Sequence, residues 1–258
     1  MKLAIGGFDG VHFAHQKLIS LSDEILIIEK NSSITPFKTR CDYISKPCHF
    51  YNLDNIKHLT YLEFIHKLKK ELNPTKIIIG YDFKFGKNRL GTISHLKQFF
   101  EVEVIDEIKI NNIGVHSKII RKFIQNGDIK TATKFLNHTY KIKAKQISGQ
   151  GIGKSKLLPT INFKPIYNYV IPKNGVYLTL IQNIPALTFI GVRSTDNNFS
   201  IESHLLSDFQ HTDIYNIEFI DFLRENKKFN SLEELKKAII TDKEQAINFF
   251  RRNNYDIK

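Results

Sequence analysis

LAIGGFDGVHFAHQKLISLS, residues Leu3 to Ser22, moves from a short apolar run through a glycine-rich corner into an amphipathic segment. Leu3 to Gly7 reads as a buried strand, and His12 to Ser22 as a helix with Leu18, Ile19 and Leu21 on its apolar side. Strand, tight corner, helix is the opening of a βαβ unit, and the residues that follow repeat the theme. Glu24 to Glu29 (EILIIE) is a second strand. Thr60 to Leu72 sets Leu62, Phe64, Ile65, Leu68 and Leu72 at helical spacing; Pro74 breaks the pattern and Lys76 to Gly80 is another strand. A helical SHLKQFF then leads into Glu101 to Ile105 (EVEVI). Short apolar strands alternating with amphipathic helices predict a Rossmann-like α/β domain, a parallel sheet with helices on both faces. Ligands of such sheets sit at the carboxyl ends of the strands, where FDGVHFAH and GYDFKFG both lie. Helices over Ser117 to Gln125 and Asp128 to Asn137 close this half.

From about Thr139 the texture changes. TYKIKAKQIS, NGVYLTLIQ, ALTFIGV, NFSIESHLL and DIYNIEFIDFL are β-branched, alternating and separated by Gly, Pro and Asn. That predicts an antiparallel sheet or small β-barrel. A final helix runs from Ser231 to about Arg252, with Ser231 as N-cap and Glu234 completing a capping box. The expected domains are 1–138 and 139–258, with no internal repeat.

Length and composition agree with two packed cores: 258 residues, 41% hydrophobic, 12% aromatic. Lys and Arg (38) exceed Asp and Glu (26), a net charge of +12 that favours anionic partners. Nucleic acid, phosphorylated small molecules and anionic lipid all fit such a surplus. Its even spread, without a polybasic tail, disfavours nucleic acid. Cys41 and Cys48 have neither CxxC spacing nor a Cys/His quartet around them, which speaks against zinc and for a reducing compartment. The opening apolar run is too short for a signal peptide and no run approaches a membrane span, so a cytoplasmic protein is expected.

A helix N-terminus directly after a strand offers free N–H groups and the positive end of a dipole, which suits phosphate. Gly6, Gly7 and Gly10 permit close backbone approach, and His12 and His15 share one helix face above. Two imidazoles there can donate to phosphate oxygens and offset charge developing on phosphorus. The plainer reading makes both histidines solvent-facing polar residues; their place at a strand end, after Asp9 and Gly10, favours the first.

In the second half SGQGIGKSK resembles a P-loop but fails its spacing, since GxxxxGK[ST] requires Gly where Ser148 stands, and LLPTINF does not begin a helix. The segment is either a plain hairpin or a glycine-rich flap over nucleotide phosphates, with Gly151, Gly153 and the charge of Lys154. Thr160 and Asn162 alternate, so both oxygens share a strand face, and such hard donors suit a Mg²⁺, although PTIN taken alone is an unremarkable strand start. Glu202 lies in an alternating strand with Ile201 on one side and Glu202 and His204 on the other.

FDGVHFAHQ resembles the nucleotidyltransferase signature of the bacterial bifunctional riboflavin kinase/FAD synthetases. GYDFKFGKNRLG (Gly80 to Gly91) is similar to that family's GxDFxFGxxRxG. SKIIRKFIQNGDIKTATKFLNHTY (Ser117 to Tyr140) is similar to the segment after its adenylyl-transfer loop. PTINF resembles its PTAN, and SIESHLLSDF its (I/V)ExHLLDF with Ser207 inserted. The resemblance implies that riboflavin, FMN and ATP are substrates, with flavins as substrate and product and Mg²⁺ accompanying ATP. His12 and His15 would hold the ATP phosphates as FMN attacks the α-phosphorus. Phe8, Asp9 and Gly10 would shape the nucleotide pocket, and Ser117 and Arg121 would meet the triphosphate. Asp82, Phe83 and Arg224 would approach the flavin. Gly151, Gly153 and Lys154 would cover the kinase ATP, Thr160 and Asn162 would hold the metal, and Glu202 would be the base. Departures are Ala14 for Gly between the histidines, His116 and Lys118 for Ser and Thr before the helix, Leu157 for Gly, and Ile161 for Ala. Rival expectations are a kinase with a degraded adenylyltransferase half, and a basic nucleic-acid-binding protein on a nucleotidyltransferase scaffold.

Overall fold

The computed structural model describes residues 1–30, 33–148, 159–192, 199–208 and 211–255. They divide into two compact units, Met1–Ile120 with Phe135–Asn137, and Arg121–Lys134 with His138–Lys258.

The first unit grows from β1 (Lys2–Gly6), whose side chains alternate between two cores. Leu3 and Ile5 enter one apolar cluster and Ala4 the other, all fully or almost fully buried. β2 (Glu24–Glu29) and β4 (Lys76–Gly80) pair with β1 in parallel on either side. β3 (Cys48–Asn52) and β5 (Glu101–Ile105) complete the order β3-β2-β1-β4-β5. α1 (Phe13–Leu21) covers one face through Leu18 and Ile19. After the short α2 (Leu53–Ile56), α3 (Tyr61–Glu71) covers the other through Phe64, Ile65 and Leu68, joined by Leu96 of α4 (Ile93–Lys97). Each such aliphatic or aromatic side chain contributes about 1.5–3 kcal/mol by leaving water. Leu62, expected on the apolar side of α3, is 41% exposed, because the buried stripe is set by Phe64, Ile65 and Leu68. Thr60 caps this helix with a reciprocal box: its hydroxyl accepts from the Glu63 N–H at 3.2 Å, and the Glu63 carboxylate accepts from the Thr60 N–H at 2.7 Å.

From β1 the chain steps first towards β2 and later, on the other side, to β4. The carboxyl ends of β1 and β4 therefore flank the point where the winding reverses, the place such sheets keep for ligands. A hairpin of β6 (Lys109–Ile110) and β7 (Ile113–Gly114) follows β5 and leads to α5 (Ser117–Gln125) and α6 (Ile129–Leu136).

In the second unit β8 (Tyr140–Ile147), β9 (Ile161–Pro165), β10 (Gly175–Ile181), β11 (Ile184–Val192), β12 (Phe199–Leu205) and β13 (Tyr215–Glu225) close a barrel. Its order is β10-β11-β12-β9-β8-β13, antiparallel throughout. The interior carries a buried hydroxyl chain: Thr179 and Thr188 meet at 2.7 Å, and Thr188 and Ser203 at 2.7 Å. Outside, α7 (Leu232–Arg252) lays Ala246 and Phe250 on Val176, Leu178, Leu180 and Leu187. Ser231 caps α7 as expected, accepting from the Glu234 N–H at 3.2 Å. The Glu234 carboxylate reaches one residue further back than a capping box requires, to the Asn230 N–H at 3.0 Å. Among the described residues no helix is long and apolar enough to cross a membrane.

Candidate active sites

Beyond Gly6 the backbone turns through positive φ at Phe8 (50°), Gly10 (88°) and Val11 (38°). Strain of this kind persists only where the surroundings over-determine it. Here they do. The Phe8 ring is wholly buried, and a Cβ on Gly10 would come within 3.1 Å of Leu136 Cδ2 and 3.3 Å of Ile34 Cγ2. Asp9, 3% exposed, braces the corner: its Oδ1 accepts from the N–H groups of Ile34 (2.9 Å) and Thr35 (3.0 Å). The Thr35 hydroxyl in turn accepts from the Gly10 N–H at 2.6 Å. Asp9 is therefore a clamp between two loops.

His12 is the N-cap of α1, and its Nδ1 accepts from the His15 N–H at 3.3 Å. An accepting Nδ1 carries no proton, which leaves the neutral ring its N–H at Nε2. The two imidazoles stack with centroids 3.5 Å apart and planes 15° from parallel, and the Phe8 ring meets His15 edge-on at 5.1 Å. Burial lowers the His15 pKa well below the ordinary imidazole value, and His12, Arg40, Lys30 and His116 push the same way. His15 is thus neutral at physiological pH, and its Nδ1 is a buried polar atom with no hydrogen-bond partner.

Two cations behind this pair escaped the sequence reading. Arg40 is completely buried in the 3₁₀ segment Phe37–Tyr43 and forks onto both carboxylate oxygens of Glu29. Lys30 lies just past β2, and a Cβ on Gly7 would meet its Cε at 3.3 Å. Lys30 had a signal, since it follows a strand's carboxyl end; Arg40 sits in no periodic pattern.

Ser117 begins α5, and its hydroxyl donates to the Asp9 carbonyl at 2.7 Å, joining the helix start to the corner. Arg121 is one turn further along α5, half-buried, and groups with the second compact unit. Past β4, Asp82 is exposed, while Phe83 is half-buried at the edge of the core with its ring stacked on Phe85 at 5.8 Å.

In the barrel the register does what sequence could not. Asn162 of β9 pairs directly with Glu202 of β12, so the amide and the carboxylate stand side by side on the outer face. The Ser200 hydroxyl donates to Glu202 Oε1 at 2.6 Å. Ile147 pairs with Asn162 on the other side, at the lip of a cleft of about 570 Å³ that Lys145, Gln146, Ser148 and Thr212–Ile214 also line. Thr160 is exposed, two residues before Asn162. Gly151, Gly153 and Lys154 lie outside the described residues. His204, on the same face as Glu202, has its Nδ1 2.9 Å from the Pro159 carbonyl; burial lowers its pKa, and Lys243 adds to the lowering.

Arg224 lies in the same transverse row, Arg224–Val176–Phe189–Glu202–Asn162–Ile147, but three strand steps from Glu202, about 14 Å at roughly 4.8 Å each. Its guanidinium grips Asp242 of α7 through two 2.7 Å bonds and donates to the Glu225 carbonyl at 2.9 Å. That fork holds the helix to the barrel.

The riboflavin kinase family model matches residues 136–250, and the FAD synthetase model residues 46–120. A bifunctional riboflavin kinase/FMN adenylyltransferase of Buchnera aphidicola from Acyrthosiphon pisum is 31% identical over 289 aligned positions, 93% of this chain and 90% of that one. The chain belongs to the bifunctional riboflavin kinase/FMN adenylyltransferase family. A further member, from Listeria monocytogenes, is 26% identical and covers 97% of this chain and 92% of its own. Among solved structures, one titled as a macrolide-efflux protein from Streptococcus pneumoniae superposes with a TM-score of 0.82 at 22% identity. It covers 96% of this chain and 93% of that one, a likeness of fold. Within the family pattern, Ala14 sits half-buried inside α1 without interrupting it, and Ile161 begins β9. Leu157 lies outside the described residues.

Proposed function

We propose that this chain makes FAD in two steps: a riboflavin kinase over 139–258 and an FMN adenylyltransferase over 1–138, working in the cytoplasm. The observation that carries the reading is the likeness to one bifunctional relative over 93% of the chain, which spans both halves.

In the kinase half, Glu202 takes the proton of the riboflavin 5′-hydroxyl as its oxygen attacks the γ-phosphorus of ATP and ADP departs. The Ser200 hydroxyl donates to Oε1 of that carboxylate at 2.6 Å. Thr160 and Asn162 fit a Mg²⁺ that keeps waters and substrate phosphates in its shell: hard oxygens beside one carboxylate, with no cluster of three or more His, Cys, Asp or Glu among the described residues. Such an ion supplies charge neutralisation across the ATP phosphates.

In the adenylyltransferase half, an FMN phosphate oxygen attacks the α-phosphorus of ATP and pyrophosphate leaves. Proton abstraction is unnecessary, so the site must position reactants and offset charge. Phe8, Asp9 and Gly10 hold the corner, and His12 and His15 donate N–H bonds to phosphate oxygens from a strand-to-helix junction. Ser117 meets the triphosphate and Asp82 and Phe83 the flavin. Neutrality of His15 suits this role, since two cations at 3.5 Å would repel.

Purified protein incubated with riboflavin, ATP and Mg²⁺, with the flavins separated chromatographically, tests the proposal. FMN followed by FAD is the expected course; FMN accumulating alone would remove the adenylyltransferase half.

A further inference from the structure

β12 and β9 pair through Ile201–Phe163, Glu202–Asn162 and Ser203–Ile161, and the ladder ends there. Carried one step further, the same register sets His204 opposite Thr160, on the face that already holds Glu202 and Asn162. On its other side β9 pairs with β8 up to Ile147–Asn162. Thr160 thus lies just beyond the stretch that main-chain pairing fixes, and it is exposed. The residue before it is Pro159, which has no N–H with which to extend a ladder.

A side chain takes over. His204 Nδ1 lies 2.9 Å from the Pro159 carbonyl, the distance of a full hydrogen bond. A carbonyl oxygen only accepts, so the imidazole donates from Nδ1, in the neutral ring and the imidazolium alike. Among the described residues its Nε2, a buried atom, has no hydrogen-bond partner. An imidazole two residues from Glu202 could in principle exchange protons with substrate. This geometry turns it from that task, since one ring nitrogen is engaged with Pro159 and the other is withdrawn from solvent.

We propose that His204 is a positioning residue of the kinase half: its Nδ1–H holds the Pro159 carbonyl and so fixes the Thr160 hydroxyl where, with Asn162, it meets the metal of Mg-ATP. The inference rests on the kinase reading of the barrel. Mg²⁺ demands near-octahedral oxygen ligands at about 2.0–2.1 Å, so a ligand at the unpaired start of a strand needs such a brace.

The test compares full-length wild type with His204→Asn and His204→Gln. The Asn amide nitrogen is bonded to Cγ as Nδ1 is, whereas Gln carries its nitrogen one bond further out. Electron paramagnetic resonance of Mn²⁺ added with ADP reads the metal site directly, and FMN formation gives kcat and the KM for riboflavin. FAD formation from supplied FMN is the folding control, because His204 has no part in the adenylyltransferase half. His204→Gln is expected to weaken Mn²⁺ binding by about tenfold, as removal of a ligand-orienting group does, and to lower kcat with the KM for riboflavin within about threefold. His204→Asn stays within about threefold of wild type throughout, because the hydrogen bond remains. An unchanged Mn²⁺ constant in His204→Gln, or His204→Asn as impaired as His204→Gln, would overturn the inference. One measurement needs no variant: proton–nitrogen NMR spectra of the wild-type imidazoles should show a proton on Nδ1 of His204, and a bare Nδ1 would overturn it too. A wild type that leaves riboflavin unphosphorylated would instead defeat the kinase reading itself.

Discussion

Asp9→Ala separates a clamp from a ligand. The Asp9 carboxylate is 3% exposed and takes two short backbone bonds, from Ile34 at 2.9 Å and Thr35 at 3.0 Å, both on Oδ1. Truncation leaves two buried N–H donors unpaired, at about 1–3 kcal/mol each, or roughly 2–6 kcal/mol together. Against a typical domain stability of about 5–15 kcal/mol, that loosens the first unit severely. Asp9→Asn retains a carbonyl oxygen in the same place and gives up mainly the charge assistance, about 1 kcal/mol. The assay is urea unfolding followed by circular dichroism, with hydrogen exchange at the Ile34 and Thr35 amides and chromatography of the flavin products. Asp9→Ala is expected to lower the unfolding midpoint, deprotect those two amides and abolish FAD formation while FMN formation continues. Equal stabilities for Asp9→Ala and Asp9→Asn, or protected amides in Asp9→Ala, would refute the clamp.

Three further outcomes follow from the geometry. His15 has a folded-state pKa below its unfolded value near 6.5, so its contribution to stability is present above that pH and declines as the pH falls below it; urea midpoints between pH 5 and 8 should show this acid limb, and His15→Gln should flatten it. Thr188→Val keeps the side-chain shape but strands the Ser203 hydroxyl inside the barrel, a loss of about 1–3 kcal/mol that the same unfolding measurement reads in the second unit. Asp242→Ala leaves the Arg224 fork without its carboxylate partner, costing about 3 kcal/mol, and should appear as faster hydrogen exchange along α7.

Strands β1, β2 and β4 were legible because apolar runs buried on both faces leave little else to read, and β5, an edge strand with no fully buried residue, through its Glu–Val alternation. β1, β2, β4 and β5 lie where LAIG, EILIIE, KIIIG and EVEVI predict. β3, with sequence CHFYN, was not legible. It is an edge strand in which Tyr51 alone is buried, so no apolar run marks it. The same holds for the sites. His12 and His15 are neighbours in sequence and were visible as a pair, although their stacking and the neutral state of His15 come from the corner that buries them. Glu202 and Asn162 could each be assigned to a strand face; only the barrel register, forty positions apart in the chain, sets them opposite one another. Arg40 carried no local signal, because its partner lies across a 3₁₀ turn.

The central claim is that one chain holds two separable sites. The measurement that tests it most directly is the product formed by Glu202→Gln when it is given ATP, Mg²⁺ and either riboflavin or FMN. The account predicts that riboflavin remains unconverted while FMN is adenylylated to FAD at the wild-type rate. FMN appearing from riboflavin at an undiminished rate, or failure to turn supplied FMN into FAD, would contradict it.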